Sequence, residues 1–269
     1  MKIGCSSYTF RREFAARQLD LLGFVELAGE LGLDGIEPLT ADFPSVSPRF
    51  IGELRERLRR HPVVLSALSP ANDFAHPDPG ERRRQCDDVI AWTRIARDLG
   101  VGILRTFTGY LRPEVDRSTA AEWVYACYEQ VVPEAERTNV TLAVENHGSL
   151  MGSADELTRL VMHFGSSALA LNPDPTNFVP YHADRTEAER EPIYTELDAI
   201  ARFAVHAHLK IGSFDAAGRP TNVDVSRLID IYRRHAYDGF LSFETYTDVD
   251  ARDCVVKALA YVRALLDAD

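Results

Sequence analysis

FAVHAHLK, residues 203–210, sets two histidines and a lysine at alternate positions of an apolar run. On a β-strand successive side chains point to opposite faces, so His206, His208 and Lys210 share one face. Three ionisable groups on one face of a buried strand cost free energy unless an ion, a ligand or a partner charge uses them. The run is one of eight. KIGCSSY (2–8), DGIEPL (34–39), VVLSAL (63–68), VGILRTF (101–107), VTLAVEN (140–146), ALALNP (168–173) and GFLSFETY (239–246) are likewise short and apolar, and the eight starts lie 28 to 39 residues apart. That spacing holds one strand, one helix and two short loops.

Between the runs the pattern changes to a helical period. Leu157, Leu160, Val161 and Phe164 follow i, i+3, i+4, i+7, as do Val225, Leu228, Ile229 and Tyr232; Val255, Ala258, Leu259 and Val262 repeat it in the last segment. Glycine or asparagine stops precede the next strand in ELGLDGIE, DLGVGILR, RTNVTLAVE, HFGSSALA and HAYDGFLSFE. Eight such units closed by a final helix predict an α/β fold, a single (β/α)8 TIM barrel spanning residues 1–269. A doubly wound sheet uses the same units, but no GxGxxG follows the first strand and no change of composition marks a second domain.

The balance of charge narrows the function. With 41 acidic and 30 basic residues the net charge is −11, which excludes a nucleic-acid backbone as the expected partner. No run is long and apolar enough for a transmembrane helix, and MKIGCSSYTF enters a strand pattern without the apolar core of a signal peptide, so a cytoplasmic location with no membrane partner is expected. Cys5, Cys86, Cys127 and Cys254 are scattered without a CxxC pair and read as reduced, buried small hydrophobes.

In a barrel of this kind function gathers at the C-terminal ends of the strands. Glu145, Asp174, His208 and Glu244 stand at four such ends, 29, 34 and 36 residues apart, about one unit each. Three carboxylates converging on one rim repel, and a divalent metal relieves that repulsion. Carboxylates with one imidazole and no thiolate suit Mn²⁺, Mg²⁺, Co²⁺ or Zn²⁺, with Mn²⁺ placed first. His206 then supports the site from below or touches substrate. His147 and Asn177 stand near the same rim, while Lys210 meets a substrate oxygen or pairs with Asp215 or Glu244. Tyr8, Phe10, Phe107, Tyr110, Phe178 and Tyr246 are candidate pocket walls. NFVPYHADRTEAEREP (177–192) reads as a long charged loop able to act as a lid, or as a solvated excursion.

VEN (144–146), DPTN (174–177), HAHLK (206–210) and SFE (242–244), set along the whole chain, resemble the sugar phosphate isomerase/epimerase superfamily, the xylose-isomerase-like TIM barrels. The resemblance implies Glu145, Asp174, His208 and Glu244 as metal ligands and Glu145 with Glu244 as the acid–base pair. It implies substrate contacts from the positions of His147, Asn177, His206 and Lys210, and a homodimer or homotetramer, with a hetero-oligomer as the alternative. Two positions depart from the family pattern: Ile211 follows Lys210 where an aspartate is usual, and Asn177 stands where the epimerases commonly have histidine.

A metal chelating a carbonyl and its neighbouring hydroxyl acidifies the adjacent C–H, and a carboxylate that removes the proton leaves an enediolate on the metal. Reprotonation on the opposite face is epimerisation; on the neighbouring carbon, isomerisation. Loss of a β-substituent makes a dehydratase or lyase acting on a keto-sugar, keto-glycoside or dehydroshikimate-like substrate. The expected activity is therefore a metal-dependent sugar or keto-polyol isomerase or epimerase of carbohydrate metabolism, with a lyase as runner-up. A DNA-repair nuclease conflicts with the acidic charge. A silent partner subunit has no support in a complete ligand quartet.

Overall fold

The computed structural model describes residues 1–179, 186–245 and 250–268. The eight apolar runs form eight strands: β1 (Lys2–Ser6), β2 (Gly35–Glu37), β3 (Val64–Leu65), β4 (Ile103–Phe107), β5 (Thr141–Glu145), β6 (Leu169–Asn172), β7 (Ala207–Lys210) and β8 (Phe240–Glu244). Every strand pairing is parallel. Hydrogen bonding divides them into a five-stranded sheet, β3-β2-β1-β8-β7, and a three-stranded one, β4-β5-β6. Isolated parallel bridges join the sheets on both sides, Leu68 to Leu104 and Leu171 to Ala204, so neighbours in sequence are neighbours round the ring. This is the TIM-barrel arrangement.

The seams lie where strands are shorter than their apolar runs. β3 keeps two residues of its run; beyond it the Ser66 hydroxyl bonds the Ile36 carbonyl, and Leu68 pairs with β4 through Leu68 N to Ile103 O (3.1 Å) and Arg105 N to Leu68 O (2.8 Å). The run at 203–210 opens as a 3-10 turn, Ala201–Phe203, before β7 begins.

Nine helices are found among the described residues: α1 (Arg11–Ala15), α2 (Leu21–Leu31), α3 (Pro48–Arg60), α4 (Pro79–Leu99), α5 (Arg117–Thr138), α6 (Ala154–Phe164), α7 (Glu187–Ile200), α8 (Val225–Arg234) and α9 (Ala251–Leu266). Their apolar stripes make two buried clusters that follow the division of the sheets. One joins α2, α3, α7, α8 and α9 to β1, β2, β7 and β8; the other joins α4, α5 and α6 to β4, β5 and β6. Burying each large apolar side chain contributes about 1.5–3 kcal/mol. All four cysteines are buried and free. No helix is long and apolar enough to cross a membrane.

Two local expectations change. The charged segment 177–192 is not all loop: α7 begins at Glu187, where Thr186 and Glu189 form a capping box, and residues 180–185 lie outside the described residues. Gly32, Gly100, Asn139 and Gly165 end their helices in the left-handed region, but after α8 that conformation falls on Ala236 (φ 55°), not on the nearby glycine. A left-handed alanine costs about 1–2 kcal/mol. Ala236→Gly is expected to gain about 0.5–1 kcal/mol after the added freedom of the unfolded chain is offset. Thermal unfolding should rise by about 1–4 °C, and an unchanged or lower midpoint would contradict the strain.

Candidate active site and metal centre

Glu145 ends β5, and the next residue fixes its neighbour. Asn146 donates to the Asp174 carbonyl (2.9 Å) and accepts the Asp174 N–H (2.7 Å), holding the loop after β6 against the end of β5. The Asp174 carboxylate caps the following 3-10 turn, accepting at Oδ1 from the Thr176 N–H (3.0 Å) and hydroxyl (2.8 Å). Its Oδ2 is buried without a hydrogen bond; Lys210 Nζ lies 2.5 Å away as a charge partner, outside hydrogen-bonding geometry. Pairing of β7 with β8 sets His208 beside Ser242 and Lys210 beside Glu244.

His208 is wholly buried and oriented by a residue the sequence reading passed over. Its Nε2 donates to both oxygens of Glu37 (3.0 and 3.1 Å), a carboxylate that also accepts from Ser69 (2.5 Å) and Ser242 (2.7 Å). The ring thereby turns Nδ1 toward Glu145 Oε2 (3.5 Å) and Glu244 Oε1 (3.7 Å), where it has no hydrogen bond. The signal for Glu37 was available: like Glu145 and Glu244, it is the last residue of its strand. Arg105, also passed over, is a charge inside the apolar β4 run. Its Nη1 donates to the Pro70 carbonyl (3.1 Å), its guanidinium lies over the Phe107 ring (3.8 Å), and its buried Nε stands 3.5 Å from Glu145 and 4.0 Å from Glu37.

These groups set one another's charge. Burial pushes the Glu37 and Glu145 carboxyls up, but the His208 imidazole beside both, with Arg105, holds them below the usual carboxylate range. Burial pushes the His208 imidazole down, and Glu37, Glu145 and Glu244 raise it well above the ordinary value. Lys210 is likewise raised, against burial, by Asp174, Glu244 and Glu145. His206 has weaker charge support, and burial lowers it to about 4, a neutral ring.

Donor chemistry fits a divalent metal. Glu145, Asp174 and His208 each offer one ligand atom, all within 4.8 Å of one another. One atom in this group, His208 Nδ1, is buried without a hydrogen bond, the condition expected of a ligand atom, while Asp174 Oδ2 is held by the Lys210 charge alone. Glu37, Glu145, Asp174 and Glu244 face Arg105, Lys210 and a His208 held protonated by its glutamates; an ion taken up at Nδ1 would displace that proton and balance the two negative charges then left. Glu37, His206 and His208 form a second group of the same span. It is the poorer site, because Ser69 and Ser242 bond Glu37 while Asn172 (2.9 Å) and Ser66 (3.3 Å) bond His206.

A cavity of about 700 Å³ opens over this floor, with Glu145, Glu244, Arg105, His147, Asn177 and Lys210 in its wall. Asn177 donates to Glu145 Oε1 (3.1 Å) and accepts from Lys210 (3.3 Å). His147 lies in the loop beyond β5, bonded to the Tyr110 hydroxyl (3.0 Å) and packed on Phe107. The structure thus brings three of the four expected substrate residues to the cavity. His206 points to the same face as His208 but lies a layer deeper, buried and off the cavity wall, the position of a support from below and not of a substrate contact. Lys210 pairs with Asp174 and Glu244 (3.4 Å), whereas Asp215 pairs with Arg219. Tyr8, Phe107 and Tyr110 line the cavity, Phe10 belongs to the core, and Phe178 packs against the core; Tyr246 lies outside the described residues.

Glu37→Gln keeps the shape of the side chain and removes the charge that orients His208. Metal affinity is expected to fall about 10–100-fold with the fold retained, measured by calorimetric titration with Mn²⁺. Unchanged affinity would show that His208 is not held for a metal by Glu37.

Residues 25–265 match the family model described as Xylose isomerase-like TIM barrel. The chain belongs to that family. Among solved structures, the D-psicose 3-epimerase from Clostridium cellulolyticum H10, crystallised with D-tagatose, is similar with a TM-score of 0.80 at 15% identity over 99% of both chains. A D-tagatose 3-epimerase-like protein reaches 0.79 at 16% identity, over 100% of this chain and 98% of that one. A xylose isomerase-like TIM barrel protein from Mycobacterium smegmatis, in complex with magnesium, reaches 0.71 at 18% identity over 99% and 97%. A comparison with curated proteins found no match. At these identities the xylose isomerase-like structures share the fold with this chain, and the chemistry has to be argued from its own residues.

Proposed function

We propose that the protein is a divalent-metal-dependent isomerase or epimerase of a sugar or keto-polyol, working by proton abstraction next to a carbonyl. One observation carries the reading: Glu145 and Glu244, from strands on the two different sheets, flank the unbonded Nδ1 of His208 on the floor of the cavity. Glu145, Asp174, His208 and Glu244 would hold the metal, which when bound polarises a substrate carbonyl and its neighbouring hydroxyl.

The remaining work falls to side chains. Either glutamate removes a proton from the carbon beside the carbonyl, and the other returns one from the opposite face. Asn177, bonded to Glu145 Oε1, fixes the direction of that carboxylate. Lys210 lies between Asp174 and Glu244 and steadies the charge of both. His147, held by Tyr110, and the free capacity of Asn177 meet substrate hydroxyls.

Mn²⁺-loaded protein incubated in D₂O with ketoses, keto-inositols and 3-keto-glycosides tests this by NMR. Deuterium is expected beside the carbonyl. Inversion at that carbon identifies an epimerase, transfer to the neighbour an isomerase, and loss of a β-substituent a lyase. Absence of exchange across the panel with metal bound would overturn the proposal.

A further inference from the structure

A second cavity, about 450 Å³, adjoins the first, and Ala71 lies in the wall of both. One side is a face of α4: Arg84, Asp88 and Trp92 repeat every four residues and so stack along the helix. The other side is Thr40, which directly follows Leu39 of the main cavity wall. Gln85 is committed to the Asp73 N–H (3.2 Å) and to Glu81 (2.7 Å), and Arg84 to Glu81. Asp88 and the indole N–H of Trp92 have no hydrogen-bond partner among the described residues. Trp92 is half-buried and meets Phe43 edge to face at 5.1 Å, which fixes its ring.

We propose that this second cavity is a subsite for a further sugar ring, so that the substrate is a glycosidically extended ketose and not a single sugar. The inference rests on reading the main cavity as a sugar site. A pyranose has an apolar face and a rim of hydroxyls that donate and accept. A rigid indole beside an open carboxylate and a threonine hydroxyl offers the complementary surface. Ala71 is the pass between the two cavities, and its small side chain leaves room for a glycosidic linkage. The acidic partner Asp88 also argues against an anionic occupant such as a phosphate.

Trp92 itself reports the test, because the chain has two tryptophans and the other, Trp123, lies under Arg82 on α5. In metal-loaded Trp123→Phe protein, the ketose disaccharides lactulose and isomaltulose are compared with D-fructose by Trp92 emission and by calorimetry. At least one disaccharide is expected to shift the emission and to bind about tenfold tighter than D-fructose. D-fructose should leave the emission unchanged. Asp88→Asn, which touches only the second cavity, should remove most of the tenfold gain without altering D-fructose binding. If neither disaccharide shifts Trp92 or binds more tightly, the subsite is refuted, even if monosaccharide ketoses exchange deuterium. If a disaccharide shifts Trp92 but no ketose exchanges deuterium, the subsite stands and the proposed reaction falls.

Discussion

Glu244→Gln and Glu145→Gln are each expected to lower the rate of epimerisation by about 10²–10⁴-fold, the usual worth of a positioned proton carrier. Glutamine preserves the volume at both positions, and the strand pairings that place them are made by backbone atoms. What disappears is the ability to take or return a proton. The two variants should differ in a telling way. If each glutamate serves one face of the substrate carbon, each variant still washes deuterium into one epimer and fails with the other. The measurement is NMR exchange from both epimers, with metal content checked in each sample. Near-full epimerisation by both variants would sink the acid–base assignment while leaving the metal site standing.

His208→Ala is expected to cost metal before it costs anything else. In the proposed site the imidazole would supply the nitrogen donor, and losing it should weaken Mn²⁺ binding by at least the about 100-fold upper range seen when supporting residues are lost. A protein that binds an ion only when folded gains about 2.7 kcal/mol at an ion concentration of 100 times Kd. The natural chain should show that thermal gain, and the variant at the same Mn²⁺ concentration almost none. Removal of the ring also leaves Glu37 with two serines and no imidazole in a buried place. His208→Gln, which keeps an N–H donor near Glu37, separates that folding cost from the loss of a ligand. Equal Mn²⁺ affinity in both variants and the natural chain would contradict the donor role.

The barrel was legible because strands buried on both faces must be apolar, and apolar runs recurring at one spacing stand out from helical periods. The strand-end groups were legible for the converse reason: Glu145, His208 and Glu244 interrupt runs that are otherwise apolar. Glu37 was passed over because its run, DGIEPL, continues past it with Pro38 and Leu39, so the glutamate did not stand out as a strand end. Arg105 lies at the middle of β4, away from the strand ends where function gathers in this fold, so its position gave no signal. His206 was legible in part: alternation sets it on the face of His208 and two residues back sets it a layer deeper, as found, but the sequence left open whether that depth still meets substrate. The start of α7 was hidden by charge: Thr186 and Glu189 form a capping pattern, yet the acidic and basic residues around them read as a solvated loop. Ala236 was unpredictable from propensity, since nothing in the local sequence favours it in a left-handed turn.

The division of the ring into sheets of five and three strands would give the proposed ion a mechanical part to play. Glu145 and Asp174 belong to the three-stranded side, His208 and Glu244 to the five-stranded side, and across the two seams the sheets meet through a few backbone bonds. An ion gripped from both sides is a rivet through the wall. It would slow the opening of both seams at once, including the one between β3 and β4 that it does not touch, because a ring cannot part at one place alone without straining the other. Amide hydrogen exchange at Leu68, Arg105, Val205 and His208, whose N–H groups close the seams, should slow together on adding Mn²⁺. Slowing confined to Val205 and His208 would mean that the ion stiffens only its own neighbourhood.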